Sequence, residues 1–348
     1  MPARSANSSQ DTPTTDLDQR HHHTTLYGGQ AIIEGVMMKG PERSAAAVRA
    51  PDGKILHKIL REGQSEQKKN IWYRTPVLRG ILVLVDTVSL GYQALMYSAE
   101  VADPDAKPLN PFFENVLLVL SLAFALVVFK FIPILVATWI LGTSPKDVNS
   151  TGRDLLNFSI TWAALEGLIK AGVLVAYMLS IRLLGEVRRV FQYHGAEHKT
   201  INAYEAGSNL SLQDVLKYPT FHPRCGTSFL FAVILFSLIF ALTFPLITSW
   251  LFGNPLLAMQ WKYRLVLHII FLPIIAAFGY EFIRMTGRLS PNSIFMRIVT
   301  YPGRMFQKIT ALEPTSDMVE VALTSMRYAM GLGEPPSEEP AASDPAPA

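Results

Sequence analysis

Four long runs of apolar residues dominate the middle and second half of the chain. They cover residues 113–141, 155–184, 229–250 and 263–282. Each run is long enough to cross the hydrocarbon core of a bilayer, which takes about 20 mostly apolar residues in a helix. Backbone polar groups must be satisfied internally inside a bilayer, so helices are the expected form. The pattern therefore predicts a mainly α, polytopic membrane protein with about four transmembrane helices.

Two further apolar segments are interrupted by charged residues. Residues 77–99 contain Arg79 and Asp86, which makes the segment too polar for a span and typical of an amphipathic helix. Residues 294–309 combine apolar side chains with three basic residues. We expect both segments to be amphipathic interfacial helices, with the second lying along the inner leaflet.

Short β-like stretches precede the apolar runs. Residues 46–50 and 55–60 flank the tetrapeptide Pro-Asp-Gly-Lys at residues 51–54, which is rich in turn formers. Two short stretches around such a turn predict a β-hairpin. We therefore expect residues 27–75 to form a small cytoplasmic region that contains β structure.

A glycine-rich stretch with a lone carboxylate lies just before this hairpin. It comprises Gly-Gly-Gln at residues 28–30 and Glu34, which is followed by Gly35. Flexible backbone beside a carboxylate can form a tight loop near a site. The alternative is a glycine turn that leads into a strand, and the sequence leaves both open.

The two ends of the chain contain too few apolar residues to offset the entropy lost on ordering. Residues 1–26 and 333–348 are therefore predicted to be disordered, and residues 76–332 to form the membrane domain. The histidine triplet at 21–23 is expected to bind metal only adventitiously. The leader has no apolar core, so we expect no cleavable signal peptide.

Basic residues are unevenly distributed among the segments that connect the apolar runs. They are concentrated in the loop 185–228 and in the region after the fourth run, and are fewer after the first and third runs. Lys and Arg are enriched on the cytoplasmic side of membranes. Both termini and the loop 185–228 are therefore predicted to face the cytoplasm.

Composition agrees with a membrane protein and argues against other classes. Hydrophobic residues make up 49% of the 348 residues and charged residues only 17%. The net charge of +3 is small and the basic residues flank apolar runs, which favours a lipid bilayer over nucleic acid as the partner. With Cys225 as its one cysteine, the chain cannot form an intramolecular disulfide, which suits a reducing compartment.

The loop 185–228 contains a histidine-glutamate-histidine motif. If the motif lies on a helix that ends at Gly207, His194 and His198 stand one turn apart on one face and can hold one ion. Glu197 reaches the same region. The order H-x-x-E-H is a pattern in which two histidines bind zinc and the carboxylate activates a water molecule. It predicts a divalent metal site, most simply for zinc, with Glu197 as the general base.

A zinc site needs at least one more protein ligand. Glu205 shares the helix face but lies about 10 Å along the axis from His198, so we expect it to support a ligand rather than to bind the ion. His222 and Cys225, spaced H-x-x-C, can fold back to complete the site, because imidazole and thiolate both suit zinc. Four protein ligands would make the site structural, and three would leave a position for water in a catalytic site. The sequence does not decide between these.

Two other interpretations compete with metal binding. Paired histidines beside a membrane can simply form hydrogen bonds at the interface. Cys225 can instead be a nucleophile activated by His222 or His198, as in thiol enzymes. No oxyanion hole is evident in the sequence, which disfavours the second interpretation.

Charged residues also interrupt the predicted spans. Glu166 and Lys170 lie four residues apart in the second run, and Lys130 lies in the first. They can pair between helices and fix their packing, or line a polar cavity used by a substrate or ion. Glu281, near the cytoplasmic end of the fourth run, is a candidate ligand or acid–base group, and the alternative is an interfacial pair with Tyr280.

Four stretches of the chain match a known family. They are GGQAIIEGVMMKG at 28–40, RRVFQYHGAEHKTINAYE at 188–205, HPRCGTSF at 222–229 and GYEFIR at 279–284. In these stretches the chain resembles the YqhQ-like bacterial membrane proteins, a domain family of unknown function described as predicted metal-dependent enzymes. The resemblance covers nearly the whole chain, from about residue 27 to about residue 322. It implies a multi-span protein of the bacterial cell membrane with a metal site, and it leaves the reaction open.

We therefore expect a metal-dependent hydrolase at the cytoplasmic membrane surface, acting on a peptide bond in a membrane protein or on a lipid-linked compound. The main alternative is a non-catalytic assembly or scaffold factor for membrane proteins, in which the same residues bind a structural ion. A small transporter that uses Glu166, Lys170 and Lys130 fits less well, because no internal repeat is evident.

Overall fold

The computed structural model describes residues 27–63, 75, 78–105, 110–142, 152–223, 225–253, 261–286 and 294–333. Helices make up most of these residues, and a small antiparallel sheet forms the N-terminal part. The prediction of a mainly α membrane protein with a small N-terminal β region is confirmed. The predictions for the leader and for the tail beyond Gly333 concern residues outside the described ranges.

The strands are β1 (Gly28–Ile32), β2 (Gly35–Lys39), β3 (Arg43–Arg49) and β4 (Ile55–Glu62). The helices of the described chain are α1 (Leu78–Ala102), α2 (Pro111–Leu126), α3 (Ile132–Leu141), α4 (Gly152–Ile181), α5 (Gly185–Glu205), α6 (Leu212–Val215), α7 (Gly226–Phe252), α8 (Trp261–Thr286), α9 (Ile294–Thr310) and α10 (Ser316–Met330). A π-helical turn, Val127–Phe131, joins α2 to α3.

The sheet is a simple antiparallel meander in the order β1-β2-β3-β4. The predicted hairpin is confirmed, because β3 pairs with β4 around the Pro-Asp-Gly-Lys turn, where Gly53 has a φ of +88°. A two-residue turn, in which Glu34 has a φ of +50°, joins β1 to β2. The glycine-rich stretch therefore forms both a strand and a tight turn.

The sheet lies between two helical layers. One face packs against α5 and α10 through small and medium apolar side chains, among them Val36, Met38, Ala45 and Ala47. The other face packs against α1 and carries Ile32, Met37, Ala46 and Val48. Side chains of neighbouring residues in a strand point to opposite faces of the sheet. Apolar residues at consecutive positions therefore pack against the helices on both faces. Both faces of the sheet are therefore buried at β2 and β3, whereas β4 and the start of β1 are mostly exposed.

Helix α1 corrects one prediction. It is a single helix of 25 residues that is long and apolar enough to cross a membrane, although the sequence was interpreted as too polar for a span. Two of its charged residues are paired, since Arg79 forms an ion pair with Glu281 of α8, and Asp86 binds Lys39 and Arg61 of the sheet. Pairing removes much of the cost of placing these charges beside apolar surface.

Within the described part of the chain, four helices qualify as membrane spans by length and composition: Leu78–Ala102, Asn115–Leu141, Arg153–Ile181 and Ala232–Phe252. The last three correspond to the first three predicted runs. The fourth predicted run, 263–282, lies within helix α8. The predicted interfacial segment 294–309 forms helix α9. The helical prediction therefore holds for every run.

The charged residues inside the spans have defined positions. Lys170 forms an ion pair of 2.6 Å with the fully buried Glu166, one turn away on the same helix, α4. Lys130 lies in the π-helical turn just before Pro133, where a proline interrupts the regular hydrogen-bond ladder. The Glu166–Lys170 pair thus forms along one helix.

A glycine allows α5 to approach the linker between α9 and α10 closely. The N–H group of Leu312 donates a hydrogen bond of 2.9 Å to the Phe191 carbonyl of α5. A methyl group added at Gly195 would lie 1.8 Å from the Leu312 carbonyl oxygen. The glycine inside the histidine motif therefore has a packing role.

We expect Gly195→Ala to destabilise the protein by about 1–3 kcal/mol or more, because the new methyl group collides with backbone. Gly185→Ala is the matched control in the same helix, since no atom lies within 4 Å of its added methyl group. The control should retain or slightly raise stability, because alanine favours helix. Thermal unfolding of the detergent-solubilised chain measures both, and equal stability of the two variants would contradict the packing argument.

Candidate metal centre

Helix α5 presents the histidine motif to the interior. It ends at Glu205, and Gly207 follows in the left-handed conformation with a φ of +73°. The N–H group of Ser208 donates to the Ala203 carbonyl, a bond that commonly closes helices before glycine. The predicted helix with its glycine stop is confirmed. His194 and His198 lie one turn apart with ring centroids 4.4 Å from each other.

Cys225 reaches this pair from the start of α7. Its Sγ atom lies 3.1 Å from Nε2 of His194. One ligand atom from each of His194, His198 and Cys225 lies within 4.8 Å of the other two. Ligand atoms of a tetrahedral zinc site are separated by roughly 3.3–3.6 Å, as follows from the metal–ligand bond lengths. The three side chains can therefore meet around one ion with small movements.

Backbone carbonyls fix the tautomer of both histidines. Nδ1 of His194 lies 2.7 Å from the Thr310 carbonyl oxygen, and Nδ1 of His198 contacts the Thr220 carbonyl oxygen. A carbonyl only accepts hydrogen bonds, so each Nδ1 carries the hydrogen and each Nε2 presents its lone pair. Carbonyl partners of this kind orient histidines that bind metals.

The Nε2 atom of His198 is buried and faces the Cys225 thiol and the Glu197 carboxylate. Burial lowers the pKa of His198, which keeps the ring neutral and able to donate its lone pair to an ion. Two imidazoles and one thiol are a donor set that suits zinc. This group of three residues fits a divalent metal ion.

Glu197 lies beside both histidines. Its Oε2 atom is 3.8 Å from Nε2 of His194 and 3.8 Å from Nε2 of His198, and only 5% of the residue is exposed. Burial raises the pKa of this carboxyl group, while His194, His222 and the backbone N–H of Gly29 act in the opposite direction. The carboxylate therefore lies where a cation would stabilise it.

His222 lies next to the group of three. Its ring centroid is 5.8 Å from that of His198, and its Nε2 atom lies 3.5 Å from Oε2 of Glu205. The side chain of Gln307 binds both the N–H and the carbonyl of His222. Burial lowers the pKa of His222. The structure thus brings His222 to the site, with Glu205 as its neighbour.

The remaining candidate residues lie away from this cluster. Both carboxylate oxygens of Glu281 accept hydrogen bonds from the Arg79 guanidinium. Glu166 and Lys170 pair within α4, and Lys130 lies in the π-helical turn. The cluster therefore combines the predicted residues of the loop 185–228 and leaves out the charged residues of the spans.

A cavity of about 560 Å³ opens beside the cluster. Its polar lining includes His194, Glu197, His222 and Cys225. Most of the remaining lining is apolar and comes from β1, α1, α4, α5, α7, α8 and α9. Cavities of roughly 300–1,000 Å³ with few polar groups are typical of sites for small ligands. The cluster is therefore accessible from a largely apolar cavity.

Several residues that build this site were not predicted. They are Thr220, Gln307 and Thr310, which hold the histidines by hydrogen bonds, and Asn202, which binds the Pro219 and Phe221 carbonyls. Most act through backbone carbonyls or lie on a separate helix, so sequence spacing contains no signal for them. Gly29 was noted as part of a loop near a site, and the structure brings it against Glu197.

An ion pair holds α5 over the β1–β2 turn. The Arg189 guanidinium binds Glu34 with two nitrogen atoms, and the Tyr193 hydroxyl donates to Glu34 at 3.3 Å. The hydrogen bonds from Arg189 lower the pKa of Glu34, although partial burial acts against them. Because α5 carries the histidine motif, this pair helps to fix the cluster relative to β1.

These features define a helical membrane protein in which a sheet and helix α5 hold a candidate metal site beside an apolar cavity. The family model described as "Protein of unknown function (DUF1385)" matches residues 75–332, so the chain belongs to this family. The chain is also 28% identical over 316 residues to the "Uncharacterized protein YqhQ" of Bacillus subtilis (strain 168), covering 90% of this chain and 95% of that protein. No solved structure matches the chain.

We expect Glu34→Gln to lower stability at neutral pH by about 1 kcal/mol or less, because the ion pair is partly exposed. A carboxylate whose pKa is lowered by folding stabilises the folded protein at pH values above its ordinary pKa of about 4.3. This stabilisation is lost as the pH falls through the pKa that the group has in the folded protein. The difference between variant and wild type should therefore shrink under acid conditions.

Thermal unfolding at pH 7 and at successively lower pH checks this expectation. Glu186→Gln in the same helix is the control, since Glu186 is exposed and has no ion-pair partner in the described part of the chain. A pH-independent difference between Glu34→Gln and wild type would contradict the role of the Glu34 charge.

Proposed function

We propose that the protein is a metal-dependent hydrolase that works where the helical spans meet the sheet domain. One observation carries the proposal. The ligand atoms of His194, His198 and Cys225 lie within 4.8 Å of one another, and a buried carboxylate lies 3.8 Å from both histidines on the wall of the cavity.

His194, His198 and Cys225 are proposed as the metal ligands, and zinc as the metal. Three protein ligands leave a fourth position open, as in catalytic zinc sites. A bound zinc ion supplies a Lewis acid and a water molecule that is deprotonated near neutral pH. With Glu205 as its neighbour, His222 is proposed to lie next to the ion and to become a fourth ligand only in a structural form of the site.

Glu197 is proposed as the proton carrier. Hydrolysis adds one water molecule across the bond that breaks, so one proton must leave the water and one must reach the leaving group. Glu197 lines the cavity and lies beside the histidines, where it can accept the first proton and donate the second. The backbone N–H of Gly29 helps to hold its carboxylate.

We also propose that the site faces the cytoplasm of a bacterial cell, with both termini on the same side. The concentration of lysine and arginine in the loop 185–228 supports this orientation. The helices that line the cavity include candidate spans, so a substrate from or near the membrane is favoured over a freely soluble one.

The metal site is tested by elemental analysis of purified protein in which the histidine triplet at 21–23 is replaced by alanine, which removes adventitious binding. We expect about one zinc ion per chain, and its loss in the His194→Ala/His198→Ala double variant. His57→Ala is the control, because His57 stacks on Tyr328, outside the cluster. Equal metal content in the double variant and the control would overturn the assigned ligands.

The role of Glu197 is tested with Glu197→Gln, which keeps the size of the side chain and removes the base. We expect normal metal content but no complementation of a deletion strain, because the proton carrier is lost. Glu186→Gln on the exposed face of α5 should complement fully. Complementation by Glu197→Gln with metal bound would instead favour a structural ion in a non-catalytic assembly factor.

A further inference from the structure

Among the described residues, the outer edge of β1 is open at Ala31, beside the candidate metal centre. β1 is the first strand of the described sheet, in which only β2 pairs with it. In a two-residue hairpin turn the flanking residues, here Ile32 and Gly35, form a hydrogen-bonded pair. Every second residue of β1 then directs its backbone N–H and C=O groups toward β2, so those of Gly29 and Ala31 point away from β2. The outward N–H of Gly29 donates to the Glu197 carboxylate, whereas no hydrogen bond joins the outward groups of Ala31 to any other described residue.

The cavity continues the sheet layer beyond this edge. Residues 28–31 line it along almost the whole length of β1. Helix α1, which covers one face of the sheet, contributes Val83 and Leu84 to one side of the cavity. Helix α5, which covers the other face, contributes Ile201 and Glu197. The cavity therefore occupies the position that a further strand would take.

The size of the cavity suits an extended chain. A strand in a layered sheet fills about 4.8 Å by about 10 Å in cross-section, so about 560 Å³ corresponds to roughly three or four extended residues. A helix with side chains is about 10–12 Å across, so the same volume would hold only about one turn. A helical segment of more than about one turn therefore exceeds the volume of the cavity.

The outward backbone groups of Ala31 also favour a peptide over a lipid chain. A hydrocarbon chain would suit the apolar walls but would leave the outward N–H and C=O groups of Ala31 buried without partners, which costs about 1–3 kcal/mol for each group. An extended peptide would satisfy them and have its own backbone groups satisfied in return, while its side chains alternate between α1 and α5.

We infer that the substrate is an extended polypeptide segment that adds to the edge of β1 as a fifth strand. This inference rests on the proposed hydrolase function and names its substrate class. A peptide in this position runs past Gly29, and so past Glu197 and the three proposed ligands. Hydrolysis would then convert one peptide bond and one water molecule into a carboxylate and an ammonium group.

The test measures peptide binding separately from cleavage, with the full-length, zinc-loaded chain in detergent. The probe is a fluorescent eight-residue peptide library with four randomised apolar central positions and two lysines at each end. We expect binding by fluorescence anisotropy, and loss of binding when every backbone nitrogen of the library is methylated, since methylation removes the donors that pair with β1.

Two variants at one position test the protein side. Ala31→Pro removes the outward N–H group, and an edge strand tolerates proline at such a position. Because one hydrogen-bond donor to the peptide is lost, binding should weaken roughly three- to tenfold. Ala31→Ser keeps the N–H and should bind like the wild type. If Ala31→Pro does not fold, the methylated library still tests the proposal. Equal binding of both libraries, or binding of oleic acid in place of the peptides, would overturn strand addition.

Cleavage is then followed for the wild type and Glu197→Gln. If both bind the library but neither cleaves it, strand addition stands and the hydrolase proposal fails. If complementation depends on Glu197 but the library does not bind, the hydrolase proposal stands and the peptide inference fails. Cleavage that is lost in Glu197→Gln, with binding retained, supports both.

Discussion

The burial of polar groups on one helix is the constraint on which the rest of the site depends. Helix α5 turns Glu197, His198, Lys199 and Thr200 toward the interior, and all four are buried. Burying polar groups is costly unless each has a partner. Lys199 binds Glu313 and the Leu216 carbonyl, and Thr200 binds the Ala196 carbonyl. Glu197, which accepts a hydrogen bond from the Gly29 N–H, lies 3.8 Å from Nε2 of His198, an arrangement that a shared cation would complete.

Close backbone approach makes this burial possible. Gly195 lets α5 reach the Leu312 carbonyl, and Gly29 lets β1 reach Glu197, where a methyl group would lie 2.6 Å from the Glu197 Cγ atom. Side chains at either position would separate α5 from its neighbours. The Arg189–Glu34 pair then fixes the helix along the strand. The same contacts that stabilise the fold therefore set the distances within the site.

The membrane helices and the sheet domain share one cavity. Helix α1 packs on the sheet with Leu90 and Ala94, joins α8 through the Arg79–Glu281 pair, and lines the cavity with Val83 and Leu84. A strand edge that is open at Ala31 among the described residues, an apolar lining and a cluster of candidate metal ligands are thus adjacent. Together they favour a substrate that comes from or near the membrane in extended form, in keeping with the proposed chemistry.

The sequence by itself determined the features that depend on local pattern. Apolar runs predicted the helices, the Pro-Asp-Gly-Lys turn predicted the β3–β4 hairpin, and i, i+4 spacing put His194 and His198 on one face. These follow from periodicity and turn chemistry, which act between residues close in the chain.

Only the tertiary structure decided which distant groups meet. It brought Cys225 to His194, set His222 beside Glu205 and Gln307, and paired Arg79 with Glu281. It also paired Asp86 of α1 with the sheet and Arg79 of α1 with α8, within one helix of 25 residues that is long and apolar enough to cross a membrane. Such contacts depend on how helices and strands pack, and spacing along one sequence contains no direct record of that packing.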